Sequence, residues 1–187
     1  GFTSLSERLQ PEEVIHLLNL YLEQMAEVIN RYGGTIDEFM GDGILVLFGA
    51  PTPQENHAIQ AVACACAMQL AMGAVNEQLK QFHLPQVQMG IGIHTGEVVV
   101  GNIGSEQRTK YGIVGSPVNL TYRIESYTKG GQILISQETL DAAGSYVQVC
   151  GRQQVQPKGI SQPITIYEVD GVGGRYSLFL PRTPIQY

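Results

Sequence analysis

The chain has 187 residues, 43% hydrophobic and 15% charged, with 11 Lys plus Arg against 17 Asp plus Glu and a net charge of −6. That fits one sizeable globular domain and excludes a disordered chain. An acidic balance is not built to neutralise a nucleic-acid backbone, although a few placed donors and metal ions can still hold one nucleotide.

Gly1-Phe2-Thr3-Ser4 carries no initiator Met and is expected to mark a domain excised from a longer chain. Its backbone amides can cradle a phosphate or cap the next turn. Pro11 suits a first helical position, and Glu12-Glu13 suit the positive end of the dipole. Apolar residues at Val14, Leu17, Leu18, Tyr21, Leu22, Met25, Val28 and Ile29 recur at threes and fours, predicting a helix over 11–32 that Gly33-Gly34 stops. Residues 35–39 and 44–48 read as strands joined by Gly41-Asp42-Gly43. Thr52-Pro53-Gln54-Glu55 reads as a capping box before a helix running to about Leu79. Cys64 and Cys66 point to different sides of that helix, and all three cysteines read as small buried residues.

Residues 87–94 and 97–100 read as a strand pair, and 101–112 as a loop or arm. Ser116-Pro117 opens a helix ending near Lys129-Gly130-Gly131, residues 133–135 form a short strand, 136–143 a short helix, and 164–169 the last strand. From Gly171 on no structure is assigned. Mixed short helices and hairpins predict an α+β sandwich, with helices packed on a mostly antiparallel sheet. An odd cysteine count argues against a secreted disulfide scaffold. No run of 18 apolar residues and no signal peptide is present, so a cytoplasmic domain without direct membrane contact is expected.

Four features can carry chemistry. Asp42, at a hairpin tip, offers a rigid carboxylate to a hard cation, though Asp-Gly is also ordinary turn chemistry. Asn119 and Arg123 stand four apart, so they share a helix face near an N-terminus that favours anions. Arg123 carries a planar fork suited to phosphate oxygens. Lys158-Gly159 precedes the last strand and reads as a surface lysine or a ligand. The fourth is the opening Gly-Phe-Thr-Ser. No nucleophile set surrounds His94, which reads as structural.

Together these segments resemble the catalytic domain of the class III nucleotidyl cyclases. The resemblance runs through Gly-Phe-Thr at 1–3, Gly-Gly-Thr-Ile-Asp-Glu-Phe-Met-Gly-Asp at 33–42, and Phe-Gly-Ala-Pro at 48–51. It continues through residues 92–104, 114–125 and Lys-Gly-Ile at 158–160, in order and at family-like spacing. It covers nearly the whole chain and is closest to bacterial, especially cyanobacterial, members. It implies a ferredoxin-like βαββαβ sandwich over 1–170 with its N-terminal strand cut short, followed by a tail over 171–187. It also implies a homodimer with two active sites at its interface, where the ribose 3′-hydroxyl attacks the α-phosphate and pyrophosphate leaves. Two Mg²⁺ or Mn²⁺ ions per site would activate that hydroxyl and neutralise the phosphates.

By the same resemblance Asp42 matches one of two metal aspartates, the other being expected three residues before the position of Gly1. Arg123 matches the transition-state arginine, Asn119 the ribose-orienting asparagine and Lys158 the triphosphate lysine, while Phe2 and Thr3 fall among the substrate-binding positions. Metal ligands come from one subunit, and Asn119, Arg123 and the base-reading residues from the other. Regulatory domains are expected elsewhere in the full chain.

Glu38 and Gly112 fall at the two positions where family members read the base. Adenylyl members usually carry Lys at the first and Asp or Thr at the second, whereas guanylyl members carry Glu and Cys. Guanine's Watson–Crick edge presents two donors, which a carboxylate can accept together. Glu38 therefore points to GTP and cyclic GMP, and Gly112 departs from both patterns. An adenylyl cyclase of relaxed specificity, and a degenerate domain that only dimerises to regulate a partner, are the alternatives. A loose likeness of 33–39 to diguanylate cyclases is not contiguous.

Overall fold

The computed structural model of the protein describes residues 7–181, so Phe2, Thr3 and the rest of the opening motif lie outside the described residues. Helix α1 spans Pro11–Arg31, and its start is fixed by the Gln10 amide donating to Glu13 Oε1 at 3.1 Å. Strands β1 (Thr35–Met40) and β2 (Gly43–Leu47) form a hairpin whose loop is Gly41-Asp42. Gly41 adopts φ +60°, which glycine reaches without steric cost at the first loop position. Within the hairpin Ile36 faces Val46 while Glu38 faces Leu45, leaving Asp37 as an extra, bulged residue. A bulge breaks the strict alternation of faces and re-aims side chains.

Helix α2 spans His57–Gln81. The expected capping box is not used, and the helix starts after Asn56 instead. Gln54 does other work: its amide donates to the Gly33 carbonyl at 3.1 Å, satisfying an orphan acceptor just past α1. By length and composition α2 is apolar enough to cross a membrane, but half of its apolar window is buried inside the protein. A helix apolar all round packs on two sides, and this one does. Cys64, Met68, Met72, Val75 and Leu79 join α1, whereas Ala58, Val62, Ala65 and Cys66 join the central sheet.

The expected strand pair over 87–94 and 97–100 does not form. In the first span only β3 (Ile91–Ile93) is strand, and it runs parallel to β6 (Ile133–Ser136), while Val99 and Val100 open a different hairpin. The residues before it are held by α2 side chains. Asn76 brackets Val87 with bonds of 2.8 and 3.0 Å, and Gln69 donates to the Met89 carbonyl at 2.9 Å. The expected loop at 101–112 instead makes most of a hairpin, β4 (Val99–Ser105) with β5 (Arg108–Val114).

Helix α3 spans Ser116–Ser126, ending before the expected stop. Helix α4 (Gln137–Ala143) is capped by Ser136, whose hydroxyl accepts from the Thr139 amide at 3.2 Å. Strands β7 (Val147–Val155), β8 (Ile164–Val172) and β9 (Leu178–Phe179) follow; sequence reading assigned neither β7 nor β9, and it stopped β8 short. The central sheet has the order β3-β6-β8-β7, with β9 against the end of β8. All its pairings but the first are antiparallel, and the class is α+β as expected.

Strand β6 is buried throughout, and its side chains pack alternately on the two faces of the sheet. Ile133 and Ile135 face α2 and α4, whereas Leu134 faces α3 through Ile124 and Ile166. Gly92 sits on the α3 side of β3: a Cβ there would lie 2.5 Å from the Glu125 amide nitrogen. Its bareness lets α3 seat directly on the sheet. Cys64 and Cys66 are buried, but Cys150 is exposed on β7, against expectation, and donates to Glu168 Oε2 at 3.4 Å.

Candidate active site

Two adjoining cavities meet at the hairpin β1–β2. The larger, about 1300 Å³, opens between β2, β3 and α3 over a floor of α2. The smaller, about 260 Å³, lies between β1 and the β4–β5 hairpin. Leu45, Ile113, Val118 and Tyr122 line both and form the partition.

Asp42 lines the large cleft from the loop between β1 and β2 and is exposed. Tyr21 and Glu125 face the same space. Burial, then the charges of Asp42 and Glu125, push the Tyr21 hydroxyl up to about 12. That hydroxyl donates to the Met89 sulfur at 3.2 Å. Burial first and the Asp42 charge second hold the Glu125 carboxyl above its usual range. The cleft therefore has a negative field that a cation would relieve, and Asp42 is an oxygen donor of the kind hard divalent ions take. Among the described residues no three His, Cys, Asp or Glu side chains gather around one point. Glu125 was missed by sequence reading, and its helical spacing from Tyr122 and Thr121 gives no hint that it opposes a turn residue.

Glu38 and Gly112 come together in the smaller pocket, along with Asp37, Ile103, Val118 and Tyr122. In a regular strand, Asp37 and Glu38 would point to opposite faces, and the bulge puts both on the pocket. Asp37 Oδ1 is buried without a hydrogen-bond partner. The doublet was legible as letters, but the bulge that aims it was not.

Asn119 and Arg123 lie on the exposed side of α3 and line neither cavity. Lys158 is exposed in the turn before β8, which the Ile160 amide closes by donating to the Pro157 carbonyl at 3.1 Å. One molecule thus brings Glu38 to Gly112 but leaves Asn119, Arg123 and Lys158 outside the cleft that Asp42 enters.

His94 sits at the rim of the large cleft, its side chain 7% exposed. Nδ1 is 2.8 Å from the Ser136 hydroxyl, which joins a chain of hydroxyls through Thr139 to Thr95. Burial lowers its pKa, with Glu138 at 3.8 Å opposing. This supports the structural reading of His94. Cys64 and Cys66, pushed up to about 12 mainly by burial, are inert thiols.

A family model of the adenylate and guanylate cyclase catalytic domain matches residues 1–171. The crystal structure of the guanylyl cyclase Cya2 is similar at 64% identity and a TM-score of 0.95, with 97% of this chain and 92% of that one covered. That of the adenylyl cyclase CyaB from P. aeruginosa is similar at 39% identity and a TM-score of 0.86, covering 95% and 91%. Adenylate cyclase 1 of Rhizobium meliloti (strain 1021) is 35% identical over 173 residues, 91% of this chain and 26% of its own length. The chain spans between 8% and 34% of the length of the curated relatives it matches.

Proposed function

The chain belongs to the adenylate and guanylate cyclase catalytic-domain family, the class III nucleotidyl cyclases, and we propose that it is a guanylyl cyclase making cyclic GMP and pyrophosphate from GTP. The observation that carries the substrate is Glu38 in the wall of the 260 Å³ pocket, across from the bare Gly112. Its carboxylate offers only acceptors, matching the N1–H and amino donors of guanine and repelling the N1 acceptor of adenine. Leaving that edge unpaired costs about tenfold to a hundredfold in selectivity. The greater similarity to the guanylyl cyclase Cya2 than to the adenylyl cyclase CyaB points the same way.

In this reading Asp42 holds a divalent cation, Mg²⁺ or Mn²⁺, in a cleft whose field already favours one. Two such ions, when bound, lower the pKa of the attacking 3′-hydroxyl and neutralise phosphate charge. Asn119 orients the ribose. Arg123 meets the charge that develops on the reacting phosphoryl group, and Lys158 binds the outer phosphates. Asn119 and Arg123 are exposed and do not line the cleft of their own molecule, which supports a site completed by a second copy in a homodimer. Regulatory domains belong to the longer protein, in the cytoplasm. A second reading, an adenylyl cyclase, is favoured by the curated adenylate cyclase relatives.

The test is turnover of GTP against ATP with Mn²⁺ or Mg²⁺, on a chain carrying the residues upstream of Gly1 where the family places its other metal aspartate. GTP preference is expected. ATP preference overturns the substrate, and nucleotide binding without metal-dependent turnover favours the regulatory module.

A further inference from the structure

We propose that Ile103, and not residue 112, supplies the second wall of the base pocket and determines which base-reading side chains that pocket can accept. The inference rests on reading the small pocket as the base site. Its ground is the geometry of the β4–β5 hairpin. Gly101 stands opposite Gly112, and Ile103 lies two positions further along β4, opposite Lys110. Residues two apart share a face of a strand, so Ile103 is the diagonal neighbour of Gly112 on one face.

Neither glycine puts a side chain on that face, and Ile103 leans over the bare backbone. A Cβ on Gly112 would stand 3.1 Å from Ile103 Cδ1 and 3.8 Å from its Cγ1. The first distance is closer than carbon atoms settle at. Gly112 has no positive φ to demand glycine. The isoleucine tip, and not the backbone, is therefore the nearest obstacle to a side chain at 112, and it must shift by a few tenths of an ångström to admit one.

Both residues line the 260 Å³ pocket, facing Asp37 and Glu38. The pocket therefore has one carboxylate wall and one methyl wall. A base donor turned to the Ile103 side finds no acceptor there. A side chain at 112 that could offer one competes with Ile103 for the same volume, so replacement of Glu38 and Gly112 by adenylyl-type residues is expected to fall short of accommodating adenine. The isoleucine must also be trimmed.

Two protein chains test this, one carrying Glu38→Lys and Gly112→Thr, the other the same pair plus Ile103→Ala. Each is assayed with ATP and with GTP. The ATP/GTP ratio of kcat/KM is expected to be about tenfold or more higher in the triple variant. Equal ratios in the two chains, whatever their absolute rates, overturn the proposal. A second readout needs no activity. Gly112→Thr alone is expected to lower the denaturation midpoint, and adding Ile103→Ala to recover part of that loss. Additive effects in this four-cornered cycle overturn the steric coupling. A wild-type preference for ATP would sink the guanylyl reading while leaving the cycle to judge Ile103 by itself.

Discussion

The Tyr122 hydroxyl donates to the Met40 sulfur at 3.4 Å, tying the middle of α3 to the end of β1. Tyr122 also lines both cavities, so its side chain is part of the wall between the pocket that holds Glu38 and the cleft that Asp42 enters. Tyr122→Ala is expected to raise KM for GTP about tenfold while far-ultraviolet circular dichroism stays unchanged, because a large partition residue is lost from a preformed site. Tyr122→Phe keeps the ring and gives up the bond to the Met40 sulfur, so steady-state kinetics should change by less than about threefold.

Glu38→Lys reverses the hydrogen-bonding sense of the carboxylate wall. GTP use is expected to fall about tenfold to a hundredfold, with a smaller rise in ATP use. The check is kcat/KM for both nucleotides on the same preparation. An unchanged ratio would mean that Glu38 does not read the base.

Arg123 is exposed on α3, and the proposed reaction gives it the reacting phosphoryl group. Arg123→Ala should depress kcat about a hundredfold to a thousandfold and KM far less, as for a donor aimed at developing charge. Full kinetics with saturating Mn²⁺ separate the two. A mainly KM effect would make Arg123 a ground-state ligand.

Gly92→Ala brings a methyl group to within 2.7 Å of the Glu125 backbone. Backbone cannot swing aside as a side chain can, so α3 must lift from β3. The expected loss is about 1–3 kcal/mol of stability in chemical denaturation, together with reduced turnover, because α3 carries the proposed site residues Asn119 and Arg123.

His94 gives the stability a pH dependence of definite sign. Burial depresses its pKa in the folded protein below the ordinary 6.5. The unfolded chain then binds more protons below that pH, so stability is complete above about pH 6.5 and is lost as pH falls. In His94→Gln the decline of the urea midpoint from about pH 7.5 to about pH 5 should flatten.

The elements with strong periodicity were legible. Helix α1 ends at Arg31, one residue before the Gly-stopped limit expected for it, and β1, β2, β6 and α4 fall close to their predicted spans. What failed has physical causes. Gly101, Gly104 and Gly112 hide the alternation of β4 and β5, which reads as a loop. Strand β7 is an edge strand, rich in exposed glutamine and interrupted by register shifts at Gln148, Val149 and Gly151, so no period of two survives. Residues before Ile91 look like strand, but Asn76 and Gln69 of α2 satisfy their backbone instead. At the candidate site, residue identity was visible in the motifs at 33–42 and 114–125. The bulge at Asp37, the Ile103 wall and the opposition of Asp42 and Glu125 were not, since each depends on residues far apart in the chain or on local backbone geometry.

Among the described residues, β1–β2 and β4–β5 are separate two-stranded ribbons, neither laddered to the central sheet. The pocket proposed for the base is the seam between them. Its walls thus rest on side-chain packing and not on shared backbone bonds, and two-stranded ribbons open at low free energy. A purine wedged in that seam would act as a splint, so slowed amide exchange in both ribbons should report base capture before any chemistry occurs.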